Sequence, residues 1–212
     1  MKDFYSIAYC GYITEIKERY MQTDSDIATN FFNCLFLFTI QIAVVLVVTY
    51  DLLTYHFTYA FMPMLLARYM GALRLHITLE RKVTHALELL NYCNNHHEKF
   101  TTVWPPYTLA SMLLLVSVAT ELANLSLVCC IDDITECIIR SVALIVVSEC
   151  SEFYVNSMER FKLIQVVKDP PKITNRSKDI MFDRRTTQNK IMRVSYKCLR
   201  MIYSSVYYYF MP

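Results

Sequence analysis

Residues 107–157 read YTLASMLLLVSVATELANLSLVCCI (107–131), DD (132–133) and ITECIIRSVALIVVSECSEFYVNS (134–157). The first run holds 25 residues and one ionisable group, Glu121. A helix crosses the hydrocarbon core of a bilayer with roughly 20 mostly apolar residues. The two runs are therefore expected to form a transmembrane hairpin over 107–157, with Asp132 and Asp133 at its tip.

Upstream, residues 31–50 read FFNCLFLFTIQIAVVLVVTY, with no charge. This is a second expected span, in which Asn33 and Gln41 suit hydrogen bonding between helices. Asp51 begins a turn. Residues 52–70 then form a further apolar run carrying His56, Pro63 and Arg68. Pro63 is expected to kink it, and Arg68, near its far end, to snorkel to the interface. Residues 31–70 thus make a first hairpin.

Between the hairpins, at 71–106, Leu79, Val83, Ala86, Leu87 and Leu90 recur at helical spacing, interrupted by Arg74, Arg81, Lys82 and Glu88. That pattern predicts an amphipathic cytoplasmic helix and loop. Residues 1–30 are expected to be a polar N-terminal tail, with Glu15 and Arg19 matched at i,i+4. Residues 158–212 form a basic tail. Twelve of the 21 Lys and Arg fall in 160–200, against Asp169, Asp179 and Asp183, with a break at Pro170 and Pro171. At its end, Lys190, Arg193, Lys197 and Arg200 share one helical face. Met192, Tyr196, Leu199, Ile202, Tyr203 and Val206 lie on the other. A basic amphipathic helix of this kind suits an anionic lipid surface.

The expected fold is all-α: a helical membrane protein with four transmembrane helices in two hairpins, plus amphipathic helices. The turns at Asp51 and at 132–133 hold no Lys or Arg, and the shared side of tails and middle segment holds nearly all of them. The positive-inside rule then places both tails in the cytoplasm. Beside four spans, the basic tail is expected to meet phospholipid rather than nucleic acid.

Composition excludes several classes. Only Gly11 and Gly71 are glycines, which rules out Gly-rich phosphate loops and dinucleotide fingerprints. The eight cysteines contain no CxxC pair, and their place in apolar runs predicts buried free thiols rather than a zinc site. The N-terminus has no basic region leading into a short apolar core, so no cleavable signal peptide is expected, and the first apolar run can serve as an anchor. Adjacent His96 and His97 point apart on a helix and read as a solvated loop. No GxSxG or HExxH occurs. No catalytic residue, metal or cofactor is assigned, and no enzyme is expected.

Four polar residues in the second hairpin carry the functional question: Glu121 and Asn124, three apart, and Glu149 and Glu152, also three apart. Ionisable groups at membrane depth are costly and face the bundle or water. The four can line an ion path or proton relay. Alternatively they are structural: Asn124 bonds across helices, Glu121 pairs with Arg140 or is protonated, and Glu149 and Glu152 lie near the headgroups. Arg140 also matches Glu136 at i,i+4. The expected function is that of a multi-pass membrane protein of structural or interaction type. The alternative is a subunit of an oligomeric ion channel or transporter, with homo-oligomerisation implied.

The stretches LARYMGALRLHITLERKVTHALELLNYCNNHHEKF, TELANL and IIRSVALIVVSECSEFYVNSM resemble a group of uncharacterised multi-pass membrane proteins abundant in ciliates. The matching positions are Ala67, Arg68, Leu75, His76, Asn95, His96, Thr120, Glu121, Asn124, Leu125, Glu149 and Tyr154. Where members often carry Glu-x-Asp, this chain has Glu149-Cys150-Ser151-Glu152. The resemblance implies that residues 65–160 form one unit, and it implies no activity.

Overall fold

The computed structural model describes residues 3–50, 62–130, 133–157 and 187–210, with backbone alone at 127–129, 187–189 and 206–210. The expected features at Asp51, His56, Asp132 and 158–186, and the side chain of Val206, lie outside the described residues. Among those described, 91% are helical and none forms a strand. The all-α expectation holds.

The helices run in chain order as α1 (Phe4–Cys10), α2 (Thr14–Arg19), α3 (Asp24–Tyr50), α4 (Met62–Asn95), α5 (Trp104–Cys130), α6 (Ile134–Ser157) and α7 (Thr187–Phe210), with a short 3₁₀ turn at His97–Lys99. Local chemistry sets several starts. At α3, Thr23 and Asp26 cap each other reciprocally, each side chain accepting from the other's backbone N–H at 3.2–3.3 Å. Asp133 accepts from the Thr135 N–H at the head of α6. Pro105 and Pro106 sit in the first turn of α5, where a missing N–H costs nothing. Along α5, Ser111, Ser117, Thr120 and Ser126 donate their hydroxyls back to carbonyls four residues earlier. An otherwise apolar helix thereby carries hydroxyls with no unmet bond.

Helix α5 is the centre of the bundle, packed by α1, α3, α4 and α6. Among the described residues, two helices are long and apolar enough to cross a membrane: α3, and α5 as far as Ser126. Helix α5 buries half of its most apolar window and α3 under a quarter, so α3 shows its apolar surface outward and α5 shows it to other helices.

Two boundaries differ from the sequence reading. Residues 1–30 are not simply a polar tail: every residue of α1 is buried, Tyr9 donates to the Leu89 carbonyl at 2.9 Å, and Phe4 stacks edge-on against Tyr154. A charge-free run from Phe4 to Ile13 drives this burial. Residues 71–106 do not start a separate helix: α4 runs unbroken from Met62 to Asn95. The change at residue 71 is one of surface, since Leu65, Leu66, Tyr69, Met70, Leu73 and Ile77 are exposed on its first half, and Glu80, Arg81 and Glu88 on its second. Gly71 marks close packing, because a Cβ there would lie 3.0 Å from Ser141 Oγ on α6. Pro63 falls in the first described turn of α4. Arg68 does not snorkel; it is 5% exposed.

Candidate functional site

The polar residues of the interior fall into two groups along α4. The first lies between α4 and α5. Glu121 and Asn124 project from one face of α5, as their spacing requires. Glu121 Oε1 is 3.0 Å from His76 Nδ1, with side chains 11% and 17% exposed. Asn124 Nδ2 donates to the Ala72 carbonyl at 3.4 Å. The partner of Glu121 is thus His76, not Arg140. Arg140 instead pairs with Glu136 and donates to the Val48 carbonyl, as the i,i+4 spacing implied.

The second group lies where α1 meets α4 and α6. Lys82 Nζ is 3.2 Å from Glu152 Oε1 and also donates to the Ser148 carbonyl. Ser6 Oγ sits 2.9 Å from His85 Nε2 and donates to Asp3 Oδ2 at 3.4 Å. Burial pushes the Asp3 carboxyl above its ordinary range, opposed by Ser151 and Lys82. Burial pushes His85 below its ordinary value, opposed by Asp3 and Glu88. The neutral forms of both therefore suit this pocket between helices.

The four acidic and amide residues picked from the sequence do not converge. Glu121 and Asn124 meet α4 at residues 72–76. Glu152 meets it at Lys82, six positions on, about 9 Å along the axis. The Glu149 side chain is half-buried, and it makes no ion pair among the described residues. Asn156 is exposed.

Sequence reasoning missed His76 as a partner, and Asp3, Ser6, Lys82 and His85 as a cluster. Its available signal for α1 was the apolar run around Ser6. Nothing local in the sequence pairs residues 79 positions apart.

Ser6, His85 and Glu88 have the residue types of a nucleophile, base and orienting acid. In this structure they are not joined as one. His85 Nδ1 is 3.9 Å from Glu88 Oε2, beyond hydrogen-bonding distance, and Ser6 is 0% exposed. No group of three or more His, Cys, Asp and Glu among the described residues can hold a metal ion. Cys10, Cys34, Cys93 and Cys137 are buried thiols outside any disulfide among the described residues, Cys130 and Cys150 are half-buried, and Cys198 is exposed. His96 lies against the Tyr92 ring, and burial lowers the pKa of His97. At the C-terminal end, Lys190, Arg193, Lys197 and Arg200 are all exposed on α7. Met192, Tyr196, Leu199 and Tyr203 pack inward. Ile202, expected with them, is exposed.

Comparison with family models, with curated proteins and with solved structures finds no match.

Proposed function

We propose that this chain is a multi-pass integral membrane protein of structural or partner-binding type, crossing the bilayer with α3, the first half of α4, α5 and α6, its tails on the cytoplasmic side. The observation that carries the reading is the outward apolar surface shared by three helices. Phe36 and Val47 on α3, Leu66 on α4 and Ile139 on α6 are each more than 60% exposed. Monomeric soluble proteins rarely expose apolar patches beyond a few hundred Å². Helix α6 supports the reading in a second way. It carries too much charge to pass as a span by composition, yet three of its four charged residues, Glu136, Arg140 and Glu152, are paired with other groups, and the fourth, Glu149, is half-buried. Its outward positions are Ile138, Ile139, Val142, Val146 and Phe153. Charges turned inward and paired are the arrangement a bilayer requires.

The same pairing favours a structural role over a transport role. With three of the four charges of α6 paired, no row of free groups is left waiting for an ion. Alkaline carbonate washing of membranes from expressing cells tests the spans: the protein stays in the pellet, and its release to the supernatant would end this reading.

One observation favours the channel or transporter alternative. The His76–Glu121 pair sits between two proposed spans, where an acid beside an imidazole can pass a proton. Flux through liposomes holding the purified chain, abolished by Glu121→Gln in a protein that still folds, would select that alternative. Absence of flux from folded, inserted protein leaves the pair structural.

A further inference from the structure

Helix α7 carries three stripes. At 3.6 residues per turn they are separated by about 110° to 140°. Met192, Tyr196, Leu199 and Tyr203 face the bundle. Lys190, Arg193, Lys197 and Arg200 form an exposed basic stripe beside them. Ile191, Val194, Met201 and Ile202 form a third, each more than half exposed, with Cys198 exposed among them. The bundle already satisfies one apolar face, so the third stripe is a second apolar face with no partner among the described residues. The sequence of α7 contains no Asp or Glu.

The helix is also fixed in place. Tyr107, in the first turn of α5, donates its hydroxyl to the Met192 carbonyl at 3.2 Å. That turn begins a helix long and apolar enough to cross a membrane, so α7 starts beside the end of a proposed span.

We infer that α7 docks on the anionic headgroup surface of the bilayer that the chain itself spans. The basic stripe meets lipid phosphates, and the third stripe enters the boundary of the acyl chains. This inference rests on the membrane reading above. Charge complementarity selects the occupant. A second copy docking symmetrically through this face would bring four more cations against these four. A nucleic acid would answer the charges but leave the apolar stripe in water. An anionic bilayer surface answers both stripes at once.

The test uses the full chain in nanodiscs made of phosphatidylcholine alone, or of phosphatidylcholine and phosphatidylglycerol in equal parts. A neutral, water-soluble maleimide labels Cys198, read at its own peptide by mass spectrometry. A Glu98→Cys variant, labelled at an exposed loop on the same side of the chain, corrects for lipid effects on the reagent. With phosphatidylglycerol present, labelling of Cys198 is expected to slow about tenfold or more, the size that a few surface cations can supply. High salt, or replacement of Lys190, Arg193, Lys197 and Arg200 by Gln, is expected to remove the difference. Equal rates for the wild-type chain in both lipids would overturn the inference, whether or not the replaced variant folds. Protection that follows protein concentration in detergent would replace it with self-association. Protection by an added acidic peptide but not by lipid would replace it with a protein partner. Failure to enter nanodiscs at all would remove the spanning reading first, and carbonate extraction detects that separately.

Discussion

The Tyr5 hydroxyl donates a 2.8 Å hydrogen bond to Gln41 Oε1. The other end of the same amide, Nε2, donates to the Val147 carbonyl at 2.8 Å. Gln41 is 2% exposed within the most apolar of the described helices. One neutral side chain therefore ties α1 and α6 to α3. Gln41→Leu leaves a buried Tyr5 hydroxyl without an acceptor, a loss of about 1–3 kcal/mol. Tyr5→Phe leaves the buried Gln41 Oε1 without its donor, a loss of similar size, about 1–3 kcal/mol. In a double-mutant cycle read by denaturant unfolding in detergent, the double variant should be more stable than the sum of the singles predicts. Strict additivity would mean that the bond contributes nothing.

What the sequence discloses here is what short-range spacing encodes. The long apolar helices α3 and α5 follow from runs with little or no charge, and the Glu136–Arg140 pair from an i,i+4 match. The exposed basic stripe of α7 follows from helical period. Residues distant in sequence are not so encoded. Tyr5 and Gln41 are 36 apart, His76 and Glu121 are 45 apart, and Ser6 and His85 are 79 apart. Each choice of partner is made by packing. Helix α1 was hidden for a related reason, since seven residues buried on every side show no amphipathic period. The continuity of α4 shows that a change from apolar to charged surface is not a break in the backbone.

The Asp3–His85 region should give the protein a pH profile made of two opposed slopes. The Asp3 carboxyl is held above its ordinary range. From about pH 4 up to its folded value, the folded state keeps a proton that the unfolded chain has lost. Stability therefore falls as pH rises through that window. His85 is held below its ordinary value. From about pH 6.5 down to its folded value, the unfolded chain binds a proton that the folded chain does not, so stability falls as pH drops. Where the windows overlap, the slopes oppose each other. Asp3→Asn should leave stability rising with pH, and His85→Gln should leave it falling. Thermal unfolding in detergent across this range reads both. Two variants with the unaltered wild-type profile would show that neither group titrates with folding.

Gly71 sets how closely α4 and α6 approach. A methyl placed there would meet Ser141 Oγ at 3.0 Å and Ser141 Cβ at 3.4 Å, and Ser141 is itself buried. Small residues at helix contacts let backbones come together, and much of the packing energy of a membrane bundle depends on that approach. Gly71→Leu forces the helices apart and should cost about 1–3 kcal/mol. Gly71→Ala sets two effects of similar size against each other. Alanine favours the helix by about 1 kcal/mol, while the crowded contact pushes on Ser141, so a net change near zero is expected. Removing the crowding decides the matter: Gly71→Ala combined with Ser141→Gly leaves room for the methyl. The combination should recover stability relative to Ser141→Gly alone, by about the alanine helix preference. If Gly71→Leu unfolds at the wild-type temperature in detergent, α4 and α6 do not meet closely at this point, and the tight packing of the bundle must come from elsewhere.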